Sequence, residues 1–520
     1  MNKKRLIALF FCVLLSLVSR SQSPNETWFD YQLNANGEGQ IFKLQDGFLA
    51  FSGLVNIESL DKGVLITKVD IESNIIWQKT ILIPGQSLAM GINSAISAND
   101  GYYLALSKYI SLEESNPVLV RLNQDGDTVW TKALIVDEPG RFFNYVICLK
   151  NNDNLLLCGL ADLDVSDDSN PTKLNIIETD SQGNLLSSQV INNGTSLMAE
   201  SIIATESSVY IGGLVWESND QAYGISKQFI RKFDLDGNSI WYKKIHVPPA
   251  GAEAPTVALI EREDGNIVYA GGRSLGVLSG NGETSNTNTS PVVGVINSNT
   301  GNVIFENTLN LNHWPYQQMY NLKKLDNGGY IGVGTHFYFS EGEISGNPIG
   351  FMVKLDEDLN QIWYRYYVPS VWEGFGRWNN LTDVVENDNG TFTAIGLIYT
   401  YTGDGPQGPG DGGFIQDTYL ITVDEEGCIM PGCYLGFTEV DQLEEFSVYP
   451  NPANNQVNIH WNKIENTEVI VYNSTGQIVL KKIVNQQNQI ALDISTLPVG
   501  VYTVRCMIDE RMYSELFVKQ

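Results

Sequence analysis

A chain of 520 residues with 60 acidic and 32 basic side chains carries a formal net charge of −28. Such a field repels nucleic acid and anionic membrane surfaces, so neither is an expected partner. The length is too great for one simple core unless the fold is modular.

The chain opens on Lys3, Lys4 and Arg5, continues with the apolar run Leu6 to Val18, and leaves it through small or polar residues at Ser19 to Ser23. A charged start, a short apolar stretch and a small-residue exit predict a secretory signal peptide over 1–22. The run is too short to span a membrane comfortably. No later segment approaches that length, so the mature chain is expected to be exported with no transmembrane segment. Cys12 lies inside the run rather than just after it, which argues against a lipid-attachment cysteine.

From residue 23 a repeat governs the chain. A strand, an acidic or Gly-rich turn, then Trp with a basic residue two places on reads VDIESNIIWQK (Trp77), LNQDGDTVWTK (Trp130), FDLDGNSIWYK (Trp241) and LDEDLNQIWYR (Trp363). Weaker copies surround Leu185 and Phe305. A second series of turns falls at Asp46-Gly47, Asp100-Gly101, Asp153-Asn154, Ser207-Ser208, Asp264-Gly265, Asn327-Gly328 and Asn389-Gly390. Alternating or continuous apolar runs flank both series, and no stretch keeps a capped helical period. Units of this length, each holding four strands, suit a β-propeller.

The last unit lacks its Trp strand and reads GCIMPGCYL there, while a spare copy of that strand, Thr27-Trp28-Phe29-Asp30-Tyr31-Gln32-Leu33, stands near the start of the mature chain. The predicted fold class is all-β: a seven-bladed β-propeller over 23–437, closed by the N-terminal strand, which removes open sheet edges. The Trp residues are read as anchors between adjacent blades. Asp/Gly-rich loops before them, Asn123 to Asp127 and Asp234 to Asn238, resemble short calcium loops and the sialidase Asp-box. Tight β-turns require the same residues, so plain turns are expected and no cofactor is assigned, with calcium as the alternative. The segment Thr402 to Gly413 reads as a structureless acidic excursion.

Five cysteines remain after the leader. Cys428 and Cys433, in GCIMPGC, can close a small disulfide loop in an oxidising compartment. Cys148 and Cys158 flank the turn NNDN and read either as partners across a hairpin or as two buried free thiols. Cys506 is left over, and no Cys or His spacing fits a zinc site.

After a short acidic linker, 438–445, a small domain over 446–520 shows short alternating strands and reads as a compact β-sandwich. It carries Tyr449-Pro450-Asn451-Pro452-Ala453, the turn around Gly476, Leu497-Pro498-Val499-Gly500-Val501-Tyr502 and a closing Phe517-Val518-Lys519-Gln520. These motifs, in order at the C-terminus, resemble the type A C-terminal sorting domain of the type IX secretion system found in Bacteroidetes. The resemblance implies passage across the outer membrane by the type IX machinery, with release to the medium or attachment to the cell surface.

Trp216, Trp314, Trp372 and Trp378 belong to none of these strands. Three of them lie in LNHWPYQQMY and VPSVWEGFGRW, the connections into and out of the sixth unit. His313, Trp314, Tyr316, Trp372, Glu373, Phe375, Arg377 and Trp378 are therefore the candidate ligand-binding residues on one face of the ring. Aromatic rings beside polar groups stack on sugars or grip an extended polymer; the alternative is packing beneath long loops.

Catalytic residues are not evident. The four histidines are His246, His313, His336 and His460, and no nucleophile elbow, phosphate loop or metalloprotease helix appears. The expected function is a secreted or cell-surface, non-catalytic module that binds glycan or protein. The alternatives are a carbohydrate-active hydrolase or lyase on the same scaffold, and a structural surface or motility component.

Overall fold

The structure is a computed structural model that describes residues 26–29, 35–55, 61–82, 87–111, 113–136, 140–163, 171–216, 226–245, 256–278, 286–309, 317–338, 347–368, 379–401, 404–405, 408–409, 414–429, 446–473, 478–508 and 511–520. The predicted signal peptide lies outside these residues. The chain divides into two compact units, Met1–Ile429 and Met430–Gln520.

The first unit is all-β and propeller-like. Ala35–Leu44, Gly47–Val55, Lys62–Asp70 and Ile75–Ile81 pair in chain order as an antiparallel quartet. The same meander recurs from Ser196 to Lys244, from Val257 to Thr308 and from Gln317 to Tyr367. Between the first and fourth quartets lies a nine-stranded sheet. It consists of two such meanders, 87–133 and 141–191, joined where Arg141 bridges Ser115 in parallel.

The last quartet is assembled from both ends of the unit. Asn379–Glu386, Phe392–Tyr401 and Phe414–Val423 supply three strands, and Glu26–Phe29 adds the outer one, with Glu26 opposite Ile421 and Trp28 opposite Tyr419. The spare N-terminal strand thus sits where the sequence lacks one. Tyr419 Oη donates to the buried Glu26 carboxylate at 2.6 Å.

Continuous apolar runs explain the packing. Each quartet is apolar on both faces because each face meets a neighbour. Val64 and Ile66 of the first quartet cluster with Leu104 and Val120 of the second, and Val293 and Val295 of the fifth cluster with Met319 and Phe351 of the sixth. A final cluster joins Ile41 and Ala50 to Ile395 and Leu420, which packs the first quartet on the last.

The first strands are bulged, with register shifts at Phe143/Val146, Ala199/Ser201, Met319/Asn321 and Leu381/Asp383. A bulge re-aims the side chains around it, and here it supports a polar network that crosses between quartets. Asn321 Nδ2 donates to Asn93 Oδ1 at 3.1 Å and to Asp383 Oδ1 at 3.0 Å. Asn93 Nδ2 reaches Glu200 O at 3.2 Å. Lys323 Nζ lies 3.1 Å from Asp383 Oδ1, and Ile41 N donates to Asp383 Oδ2 at 3.1 Å. The buried Asp383 is satisfied on both oxygens, as a buried charge requires.

The segment Thr402 to Gly413 departs from its reading as structureless. The flanking strands pair as far as Tyr401 with Phe414, and within the segment Asp404–Gly405 pairs with Gly408–Pro409. Gly405 and Gly408 face each other in this short pairing.

In the second unit, Gln456–Asn473 is the central strand and changes partners along its length. On one edge it pairs with Ile478–Asp493 along both halves; on the other its first half pairs with Phe446–Tyr449 and its second half with Gly500–Ile508, which in turn pairs with Arg511–Lys519. The irregular register between His460 and Thr467 marks the change. Trp461, Val469, Val471, Val504 and Phe517 form its core.

Candidate functional site

The Trp repeat is a latch between quartets. Trp77 lies on the turn at Gly126, Trp130 on Gly183, Trp241 on Gly301 and Trp363 on Gly427. In each case the ring stands so close that a Cβ on the glycine would lie within 2.9 Å of it. The ring nitrogens of Trp241 and Trp363 donate to Ser298 O and Glu425 O of the same turns, at 3.2 and 2.9 Å. The basic residue two places on completes the grip: Lys79 Nζ bonds Asp127 Oδ1 at 2.5 Å and Lys132 Nζ bonds Asn184 Oδ1 at 2.8 Å. These four Trp residues anchor adjacent quartets to one another, as the repeat suggests. The side chain of Trp28 lies outside the described residues.

The acidic turns have their own local logic. Asp234 Oδ1 accepts the backbone N–H groups of Asp236 and Asn238 at 3.0 and 2.7 Å, while Asn238 Nδ2 donates to Asp234 Oδ2 at 2.9 Å. Asp70, Asp180 and Asp356 repeat the pattern with Asn74, Asn184 and Asn360. The Asn238 side chain and the turn N–H groups hold the Asp234 carboxyl below the usual carboxylate range. This is a self-contained Asx turn, and it accounts for the Asp…Gly-Asn spelling.

The candidate ligand residues His313, Trp314, Tyr316, Trp372, Glu373, Phe375, Arg377 and Trp378 all lie outside the described residues. The feet of their two segments are described, and they are pinned. Ahead of 310–316, Leu309 N donates to Pro291 O at 2.9 Å. After it, Thr289 Oγ1 donates to Gln317 O at 3.0 Å and accepts from Gln317 N at 2.9 Å. Both feet are therefore held by the strand Asn286–Ile296. Around 369–378, the buried Asn379 spans the gap alone: its Nδ2 donates to Tyr367 O at 2.8 Å, and its Oδ1 accepts from Gly350 N. Both segments spring from the same end of the sixth quartet.

That end carries a titratable group. His336, opposite Gln317 in register, is buried and stacks on the Tyr366 ring at 6.1 Å. Burial lowers its pKa to about 4, so the imidazole is neutral at physiological pH. Sequence reasoning noted His336 but gave it no role, and it missed Thr289 and Asn379, whose polar atoms act across strands far apart in sequence.

Cys148 and Cys158 are free, buried thiols. Register places Cys148 opposite Leu156 and Cys158 opposite Val146, so they sit diagonally rather than face to face, and the hairpin pairing is not formed. Burial pushes the Cys148 thiol up to about 12 and that of Cys158 higher still. Cys428 is disulfide-bonded; Cys433, its expected partner, lies outside the described residues. Cys506 is buried in the core of the second unit.

In the second unit the motif residues converge on the closing strand. Asn451 Nδ2 donates to Leu516 O at 2.8 Å and its Oδ1 accepts from Val518 N at 2.9 Å. Ala453 N bonds Val518 O at 2.8 Å, and Gln520 N returns to Ala453 O at 2.9 Å. Tyr502 stacks on Phe517 at 5.4 Å and donates to Pro498 O at 2.7 Å. Lys519 Nζ donates to Gln520 O at 2.6 Å. Tyr449-Pro450 and Asn451-Pro452 are cis. Gly500 opens the strand that pairs with the closing one and stands opposite Lys519, and Gly476 lies outside the described residues.

Residues 447–520 match the family model of the secretion system C-terminal sorting domain, and this part of the chain is a type IX sorting domain. Such a domain directs secretion and cell-surface attachment through the outer membrane by way of the type IX machinery, and this is the destination of the protein. No helix among the described residues is long and apolar enough to cross a membrane. No curated protein matches the chain.

Solved structures overlap the chain loosely. The polysaccharide lyase Uly1 is 11% identical, with 74% of this chain and 89% of that one covered at a TM-score of 0.42. An ulvan lyase of polysaccharide lyase family PL25 is 7% identical, with coverage of 78% and 98% at 0.43. A protein of unknown function from Dyadobacter fermentans DSM 18053 is 10% identical, with coverage of 66% and 100% at 0.38. Overlaps of this quality carry no argument about activity or substrate.

Proposed function

We infer that the first unit is a seven-bladed β-propeller whose ring is closed by Glu26–Phe29, that the second is a small β-sandwich, and that the exported protein is a non-catalytic binding module for glycan or protein at the cell surface. The observation that carries this reading is the pair of pinned segments on the sixth quartet. Rigid scaffolds hold recognition loops by their feet; here the strand Asn286–Ile296 ties Leu309 through Pro291 O and Gln317 through Thr289, and Asn379 ties itself to Tyr367, at the two segments richest in unassigned aromatics. Trp314, Trp372 and Trp378 supply stacking faces, while His313, Tyr316, Glu373 and Arg377 supply donors and acceptors for hydroxyl or peptide groups. Phe375 adds apolar contact. No cofactor is required, and binding is expected to survive a calcium chelator.

The test is a glycan-array and polysaccharide pull-down screen of the secreted protein beside its Trp372→Ala/Trp378→Ala variant. Binding that the variant loses supports the reading. Silence across the array, with protein partners captured from an outer-membrane fraction, moves the role to protein recognition. Turnover of a polysaccharide that Glu373→Gln abolishes replaces the binding module with an enzyme.

A further inference from the structure

The hairpin of Gly500–Ile508 and Arg511–Lys519 in the second unit is apolar on both sides. Its register sets Tyr502 opposite Phe517, Val501 opposite Val518 and Thr503 opposite Leu516. Residues paired in this way share a face of the sheet. Tyr502, Val504 and Phe517 turn inward to the core. Val501, Leu516 and Val518 turn outward and are between 39% and 47% exposed, and Val499, just ahead of the first strand, is 76% exposed.

An antiparallel strand with one face in a core carries polar residues on the other, where water covers it. Three large apolar residues on that outer face depart from this rule. Tyr449 enlarges the patch: it is half exposed and stands two residues before Asn451, which bonds Leu516 O and Val518 N. Five apolar side chains exposed to this extent amount to roughly a few hundred Å², the scale that marks an interaction site. The ordered motifs of the domain thereby divide in two. Asn451, Tyr502 and Phe517 build the hairpin, whereas the side chains of Tyr449, Val499, Val501 and Val518 face outward.

We propose that Tyr449, Val499, Val501, Leu516 and Val518 form the face by which the type IX machinery holds the sorting domain, and that this face seats in an uncharged apolar concavity of an outer-membrane component. The family match assigns the domain to that machinery and leaves the docking face open. Charge favours an apolar seat. Residues 446–520 hold six basic and six acidic side chains and so no net charge, in a chain of −28. Long-range steering is weak for such a domain, and apolar contact carries the docking. Folding comes first, because only the strand register brings Val501 beside Val518. The machinery therefore reads a folded hairpin rather than a linear C-terminal string.

Val501→Ser/Val518→Ser in the full chain, expressed in a host that carries the type IX system, tests the face. The expected result is about a tenfold fall in the exported fraction, on the order of losing one buried valine side chain. The chain should be retained inside the outer membrane and melt like wild type. Val501→Thr/Val518→Thr keeps the branched shape and strand preference and should lose export in the same direction, which covers the case of a Ser variant that fails to fold. Ile483→Ser is the control. Ile483 is 70% exposed on Ile478–Asp493, the strand at the far edge of the sheet, and its loss should leave export unchanged. A folded Thr variant exported like wild type overturns the proposal. So does an Ile483→Ser variant retained as strongly as the valine variants, because any exposed apolar residue would then serve.

Discussion

The two ends of the first unit are built on different terms. At the turn end, most connections are short and carry their own Asx hydrogen bonds, and four of them, at Gly126, Gly183, Gly301 and Gly427, serve as the landing site for a Trp from the neighbouring quartet. At the loop end, connections are long and their feet are tied by single side chains such as Thr289 and Asn379. The turn end is therefore a repeated locking device, and the opposite end is tied by individual side chains that do not repeat from quartet to quartet. Substitutions that exchange these properties test the division.

The largest effect is expected at the latch. Gly183 has φ of 73° and lies beneath Trp130, where a Cβ would stand 2.6 Å from the ring. Gly183→Val adds a left-handed backbone penalty for a β-branched residue to a direct clash, for a loss of about 3–5 kcal/mol. Trp130→Ala, which leaves a gap on a half-buried turn, should cost about 3 kcal/mol. Denaturant midpoints measure both. If Gly183→Val in a Trp130→Ala background costs as much as in wild type, the ring does not press on the turn and the latch is only proximity.

His336 at the loop end gives a smaller, pH-dependent effect. The folded pKa, lowered by burial to about 4, lies below the ordinary value near 6.5 of an unfolded chain. The neutral imidazole is favoured in the folded state, so its contribution is fully present above about pH 6.5 and is lost as pH falls toward 4. The loss amounts to at most about 3 kcal/mol. His336→Gln should remove that slope: chemical denaturation at pH 7 and pH 5 should show wild type losing more stability between the two than the variant. Parallel losses would place the acid sensitivity elsewhere, for example in the carboxylates of the turn end.

These two ends were not equally legible in the sequence. Trp77, Trp130, Trp241 and Trp363 repeat at a fixed place after their turns, and the Asp…Gly-Asn turns obey local rules, so both could be read without partners. The N-terminal strand was legible because a copy was missing from the last unit. The sorting domain was legible from ordered motifs, and the structure shows that most of them serve one strand, Arg511–Lys519. The Asn93–Asn321–Asp383 network and the clamps at Thr289 and Asn379 were not. Each depends on a bulge or on a register between strands distant in sequence, and neither leaves a mark in periodicity.

The smallest predicted effect uses a quartet where the latch is absent. The position equivalent to Trp130 in the third quartet is Ser187, four residues after Gly183, and the next turn still offers Gly237, with φ of 85°. In place of a ring, Gln189 reaches that turn, with its Nε2 3.4 Å from Gly237 O. The landing site is thus intact and weakly used. Ser187→Trp should cover Gly237 as Trp130 covers Gly183 and displace the long Gln189 contact, for a gain of about 0.5–1 kcal/mol. The asymmetry with Phe305 shows why the glycine matters. Phe305 is 40% exposed where a Trp would stand, and the next turn carries the buried Leu359, at φ of 64°, instead of glycine. Phe305→Trp should therefore bring no comparable gain, because Leu359 fills the place the larger ring would take. A matching gain at both positions in thermal or denaturant melts would mean that added apolar area, rather than a ring fitted over a bare turn, is what stabilises each junction.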